Sequence, residues 1–187
     1  TVYGATLGKD RNGEAGKAYQ FDGVDDYIKV SHNNKINFNT SDSFTISLWS
    51  LIPTPEKERS SIFEKWNSIG SYPFNLRMGP DLLKLGFRNW DGANTKGADA
   101  TFGYEEQNFV HISCVSNAGK FNLLINGARS SINYTIVDDP DIVLSDTRNS
   151  SDLFFGRRGG TSAFNFKGSI DDVRIYNRAL SEAEVQA

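Results

Sequence analysis

The sequence predicts an all-β sandwich. About ten short apolar–polar alternations run along the 187 residues, clear turn signals such as Gly79-Pro80-Asp81 and Asn126-Gly127 separate them, and helical character is confined to Ser181–Gln186. A chain of this length is read as one domain, 1–187, and it can bury a substantial core. Its 13 Phe, 7 Tyr and 3 Trp supply large apolar area for that core.

Thr1 to Lys17 holds four Gly among polar residues and reads as a loop-rich lead-in. Ala18 to Val30 alternates around a Gly23 bend and predicts two short strands. Phe44 to Ile52 is the clearest strand, with Phe44, Ile46 and Leu48 on one face and Thr45, Ser47 and Trp49 on the other. Pro53 and Pro55 end it. Ser61–Lys65 is a further strand. Tyr72–Met78 and Leu83–Arg88 predict a hairpin about Gly79-Pro80-Asp81. Trp90 to Gly103 reads as a long polar loop. Phe109–Val115 and Phe121–Asn126 flank a second turn, and Leu153–Gly156, Phe164–Phe166 and Ile170–Tyr176 are the closing strands. Ser181 with Glu184 three residues on has the pattern of a capping box.

A net charge of −3 predicts no general attraction to nucleic acid or anionic membrane. No apolar run is long enough to cross a bilayer, so no membrane insertion is expected. The single Cys114, in VHISCVS, excludes an internal disulfide and reads as a buried strand residue. His111 likewise reads as a core histidine. With His32 as the only other histidine, zinc is not expected.

Two stretches mirror each other. FDGVDDYIKV (Phe21–Val30) and KGSIDDVRIYNRAL (Lys167–Leu180) each join an alternation to acidic side chains. If they pair as neighbouring strands, the domain closes between its two ends. Their carboxylates then meet at one edge, an arrangement suited to a hard cation such as Ca²⁺.

These residues also carry a resemblance. The segments Asp10–Val30, Ser43–Ile52, Phe109–Ser116, Phe121–Ala128, Leu153–Arg158 and Phe166–Val185 resemble, in order, the laminin-G-like, concanavalin A-like jelly rolls of bacterial extracellular proteins, close to pentraxins. Phe109 departs from the family, which often has Trp there. The resemblance implies two antiparallel sheets, one concave, with one short C-terminal helix. It also implies a structural Ca²⁺ held by Asp22 and Asp171, with Asp25 as a third ligand. The fold itself serves many roles.

Catalysis is not expected. Glycoside hydrolysis needs two carboxylates facing one another across a groove. Glu56 and Glu58 have the right spacing but lie in a Pro-bounded polar segment, and Glu105-Glu106 also reads as loop. Tyr72 with Arg77 could serve a lyase, but no accompanying motif is present.

Binding of sugar calls for aromatic rings and planar polar groups, with Arg or Lys added for acidic sugars. Arg77, Lys84 and Arg88 fall on the non-core alternation of the predicted hairpin. Trp66, Tyr72, Trp90, Arg157 and Arg158 lie in or beside Gly-rich loops. Asn89 and Tyr104 are weaker candidates, Asn94 and Asp99 with the rest of the Trp90 to Gly103 loop could form a rim that selects ligand, and Trp49 reads as structural. The expected function is non-catalytic binding of an anionic polysaccharide, sulfated or uronic. The module would be a monomeric part of a larger secreted or cell-surface enzyme. A protein-interaction or adhesion domain is the alternative, and a polysaccharide lyase or glycoside hydrolase a third reading.

Overall fold

The structure is a computed structural model. It describes residues 1–52, 59–66, 69–79, 84–93, 95–101, 108–129, 132–133 and 146–186. Two antiparallel sheets face each other. One has eight strands in the order β1 (Val2–Tyr3), β4 (Tyr27–Val30), β14 (Leu153–Phe155), β6 (Ser60–Glu64), β7 (Tyr72–Met78), β8 (Lys84–Trp90), β9 (Thr95–Thr101) and β13 (Ile132–Asn133). The other has seven, in the order β12 (Ala128–Arg129), β11 (Lys120–Ile125), β10 (Phe109–Asn117), β5 (Phe44–Leu51), β15 (Lys167–Tyr176), β3 (Ala15–Asp22) and β2 (Thr6–Lys9). A short helix α1 (Glu182–Gln186) follows β15.

The two ends of the chain do pair. Lys167 lies opposite Asp22 and Ile170 opposite Tyr19, and β15 is clamped between β3 and β5. Gly168 makes this insertion fit. Its φ is 150°, and a Cβ there would lie 2.3 Å from the Leu51 carbonyl oxygen and 2.6 Å from the Phe166 ring. The strands on either side of the Gly23 bend belong to different sheets, so the bend is a crossover and not a hairpin.

The core is sewn together by rings from both sheets. Phe44 of β5 packs on Phe74 of β7 at 5.9 Å and on Phe87 of β8 at 6.0 Å, and Phe87 meets Phe121 of β11 at 5.2 Å. Cys114 is fully buried here as expected, and burial pushes its thiol pKa well up. The capping box is present: Ser181 N–H donates to Glu184 Oε2 at 2.9 Å and Glu184 N–H to Ser181 Oγ at 3.3 Å.

Three expectations are corrected. The N-terminal lead-in is mostly strand. β2 and β3 pair around a turn in which Asp10 Oδ1 accepts from Asn12 N–H and Glu14 N–H, but their exposed residues carry no apolar signal. The polar loop after Trp90 contains β9, whose inward residues Ala98 and Ala100 are too small to register as hydrophobic alternation. Phe164–Phe166 is not a strand, and Phe164 sits at φ 59°.

Gly168→Ala should therefore lower unfolding free energy by at least about 2 kcal/mol, because any side chain strikes backbone at the closing strand. Urea denaturation checks this. An unchanged midpoint would show that β15 is not held so tightly.

Candidate functional site

The eight-stranded sheet has an outer face built by two breaks in its alternation. In β6, Ile62 and Phe63 are adjacent and both fully buried, because the register with β7 slips there: Ser61 opposes Arg77 but Phe63 opposes Leu76. The slip brings Glu64 to the outer face. In β7, Pro73 cannot donate to the ladder, and the register with β8 slips between Tyr72 and Asn75. Tyr72, which strict alternation would send inward with Phe74 and Leu76, thus joins the side of Asn75 and Arg77.

On this face Trp66, Tyr72 and Trp90 form an aromatic triangle. Trp66 and Tyr72 are 5.3 Å apart, and each lies 5.8 Å from Trp90. Arg77 Cζ is 5.7 Å from the Trp66 ring and 5.8 Å from the Tyr72 ring. Over them runs the segment after β14. Its Arg158 Cζ lies 4.6 Å from the Trp66 ring and 4.0 Å from the Phe164 ring. Ser61 N–H donates to Phe164 O at 2.8 Å and pins the segment down. The approach is close enough that a Cβ on Gly159 would lie 2.5 Å from Trp66 O.

Two devices hold the aromatic triangle in place. Trp66 Nε1–H donates to Ile69 O at 3.0 Å and Gly70 O at 2.8 Å. Beside it, fully buried Lys65 donates from Nζ to Ser151 O and to Asn149 Oδ1 and faces His32 Nδ1 at 3.0 Å. Burial pulls the Lys65 pKa down to about 8, with Asp152 opposing. Asn149 Nδ2 donates to Lys65 O at 3.1 Å and Ser71 O at 2.8 Å, so one amide ties together the residues just before Trp66 and Tyr72.

The electrostatics are largely neutralised. Arg77 forms a bidentate pair with Glu64, whose carboxylate is fully buried, and Arg158 Nε stands 3.7 Å from the same carboxylate. Arg88 pairs with Asp99 at 2.7 Å. Three guanidinium groups (Arg77, Arg88, Arg158) thus meet two carboxylates (Glu64, Asp99). Burial lowers the Arg158 pKa, and neighbouring Arg77 lowers it further. Burial raises the Tyr72 pKa, while Arg77 opposes that shift. Asn75 lies close enough to the Tyr72 hydroxyl to act on its ionisation. Yet, among the described residues, neither of its fully buried amide atoms reaches hydrogen-bonding geometry with a partner.

Of the residues expected to hold ligand, Trp66, Tyr72, Trp90, Arg77 and Arg158 come together, with Arg88 alongside. Arg157 does not: its Cζ lies 3.6 Å over Tyr27, which stacks on Tyr3 at 4.3 Å farther along the same sheet. Lys84 lies in β8, but its side chain is outside the described residues, as are Tyr104, Glu56, Glu58, Glu105 and Glu106. Asn89 is fully buried and donates to Thr40 Oγ1 at 3.1 Å, so it belongs to the interior. Glu64 and Phe164 went unrecognised in the sequence. A bulge and a left-handed residue place them, and neither leaves a periodic trace.

The acidic cluster is partly as expected. Ligand atoms of Asp22, Asp25 and Asp26 lie within 4.8 Å of one another. Asp171 lies apart from this set. It lies four strand positions beyond Lys167, the partner of Asp22, which is about 13 Å along the sheet. Its carboxylate pairs instead with Arg11 at 2.8 Å. The third acid is Asp26. Its Oδ2 accepts from Asp22 N–H at 2.8 Å, burial raises its pKa, and the Asp22 and Asp25 charges push the same way.

The laminin G family model described as the concanavalin A-like lectin/glucanases superfamily matches residues 22–186. Among solved structures, the chain is similar to the binding domain of Paraclostridial Mosquitocidal Protein 1, with TM-score 0.75, 22% identity, and coverage of 100% of this chain and 45% of that one. It is also similar to the Botulinum neurotoxin serotype D binding domain, with TM-score 0.71, 15% identity, and coverage of 98% and 43%. The serotype G binding domain follows, with TM-score 0.70, 16% identity, and coverage of 98% and 46%. The chain spans less than half the length of each, and at these identities the likeness is one of fold. Comparison with curated protein sequences gives no match. By the family match over most of its length, the chain belongs to the concanavalin A-like lectin/glucanase superfamily, in its laminin G branch.

Proposed function

We propose that the domain is a non-catalytic module for an acidic polysaccharide, held on the outer face of the eight-stranded sheet, within a larger secreted or cell-surface protein. The observation that carries this reading is the Trp66–Tyr72–Trp90 triangle overlaid by Arg77 and Arg158. Aromatic rings receive the C–H faces of sugar rings, and guanidinium forks receive a carboxylate or sulfate in parallel. An excess of one guanidinium group over the carboxylates favours an anionic chain, with an attraction that salt weakens. The solved neighbours named as binding domains and the lectin membership of the superfamily support a binding role. The carboxylates of Glu64 and Asp99 are each engaged by arginine, which does not suit them to act as an acid–base pair.

Arg77 is a poor probe of this site, because its removal leaves buried Glu64 without its counter-charge and unfolds the region. Trp66→Phe, Trp66→Ala and Arg158→Ala are cleaner. In gels containing polygalacturonate, alginate or a sulfated galactan, at least one should retard the wild-type domain, less so at high salt. Trp66→Ala and Arg158→Ala should weaken that binding about tenfold, a loss of about 1.4 kcal/mol, in variants that still unfold in one cooperative transition. Equal retardation by neutral polysaccharides, or variants that bind as well as wild type, would contradict the reading.

We also propose that Asp22, Asp25 and Asp26 hold a structural Ca²⁺. Three carboxylates in one tight turn suit a hard cation that takes oxygen ligands in flexible geometry. Among the described residues none of the three is paired with Arg or Lys. A cation there would offset their mutual repulsion and hold the crossover from β3 to β4. Chelation should then lower the melting temperature by several degrees, and Asp26→Asn should remove that sensitivity. A melting curve indifferent to chelator, with no metal by elemental analysis, would exclude the site.

A further inference from the structure

The seven-stranded sheet also carries a cleft on its outer face, of about 500 Å³, within the size range of small-ligand sites. Its floor is β5, β10 and β15, and α1 and the Asn126-Gly127 turn form one wall. Trp49, read from sequence as structural, and His111, read as a core residue, are both half-buried here. Trp49 is layered between Arg11 Cζ at 5.0 Å and the His111 ring at 5.0 Å, so it offers its edge to the cleft. His111 Nε2 and Ser47 Oγ are 2.7 Å apart.

Charge in this cleft is matched within the protein. Arg11 contacts Asp171 at 2.8 Å and Asp172 at 3.4 Å, Arg174 contacts Asp172 at 2.9 Å, and Glu184 contacts Arg178 at 2.7 Å. Burial, with Arg11 adding to it, lowers the His111 pKa, which keeps the imidazole neutral at pH 7. No net field remains to select a charged ligand. What remains is a set of planar polar groups beside Leu180, Val185 and the Trp49 edge. Asp172 is presented by a bulge in β15 at φ 47°. Gln186 donates through Nε2 to Gly127 O at 2.9 Å, which orients its amide on the cleft wall.

We infer that this cleft is a second binding site, for a neutral sugar unit, with its hydroxyls on Asp172, Arg174 and Gln186 and its C–H face on Leu180, Val185 and Trp49. The site is independent of the arginine-rich face on the other sheet, and it stands or falls separately from the reading of that face. Two sites on opposite sheets let one domain bridge two chains, or two parts of one chain, with a gain in avidity.

The chain has three tryptophans, so Trp66→Phe/Trp90→Phe leaves Trp49 as the sole indole and disables the first face. Neutral xylo-, manno-, gluco- and galacto-oligosaccharides are titrated into this variant up to about 10 mM. At least one should change Trp49 fluorescence saturably, and Arg174→Ala or Asp172→Asn should weaken that binding at least tenfold. Asp172→Asn keeps a residue type that tolerates the left-handed backbone, so its loss of binding is not a loss of fold. If the double variant does not fold, the Trp49 indole N–H resonance of the wild-type protein gives the same readout. A signal that saturates with none of these sugars, or that persists unchanged in both cleft variants, overturns the proposal. Saturation by acidic oligosaccharides alone overturns it as well.

Discussion

Strand β15 must enter between β3 and β5, and both faces of the domain depend on that entry. It joins the last described strand to the third, so the chain is closed by a contact between residues about 150 positions apart. The first half of β15 is flanked on both sides, and its second half pairs with β5 alone. A bulge between Asp171 and Arg174 falls where the pairing with β3 ends. It throws Asp172 outward with Arg174 and sends Asp171 towards Arg11. Had the strand run straight, Asp171 and Asp172 would alternate across the sheet, and the cleft over Trp49 would lose its polar rim.

The same economy governs the other sheet. Its central strands would present an ordinary polar surface if they alternated strictly. A proline in β7 and a doubled inward pair in β6 each shift register by one residue. The first turns Tyr72 outward and the second turns Glu64 outward. Glu64 then orders Arg77, and Arg77 lies against the rings of Trp66 and Tyr72. A buried carboxylate is costly to desolvate, and bidentate contact with Arg77, with Arg158 nearby, offsets that cost. Preorganised guanidinium groups lose little freedom when a ligand arrives, which is the advantage of fixing them by carboxylates at the expense of net charge.

What was legible in the sequence follows from these mechanisms. Strands with clean alternation, such as Phe44–Leu51, were read correctly because large inward residues leave a period of two. The pairing of the two acidic stretches was legible because their apolar patterns match. β9 was not, because its core residues Ala98 and Ala100 are too small to stand out as hydrophobic. Trp66, Tyr72, Trp90, Arg77 and Arg158 could be named from residue type, yet their assembly rests on bulges and on the left-handed Phe164, which no local pattern announces. Asp171 lies away from the Asp22 turn because the register of β15 on β3, which no local pattern reveals, sets how far along the sheet its carboxylate falls. The sequence does not show that Trp49 and His111 line a cleft, because a strand with one apolar face says nothing of what covers the other.

The two outer faces thus differ in charge more than in shape: one keeps guanidinium groups in excess, and the other balances each of them. The most direct test of the account follows the three indole N–H resonances while an acidic oligosaccharide, such as an oligogalacturonate, is titrated into the wild-type domain. Trp66 and Trp90 should shift together along one saturating curve while Trp49 stays still. A titration in which the sugar binds but moves Trp49 alone, or moves none of the three, would contradict the assignment of the acidic-glycan site to the eight-stranded sheet.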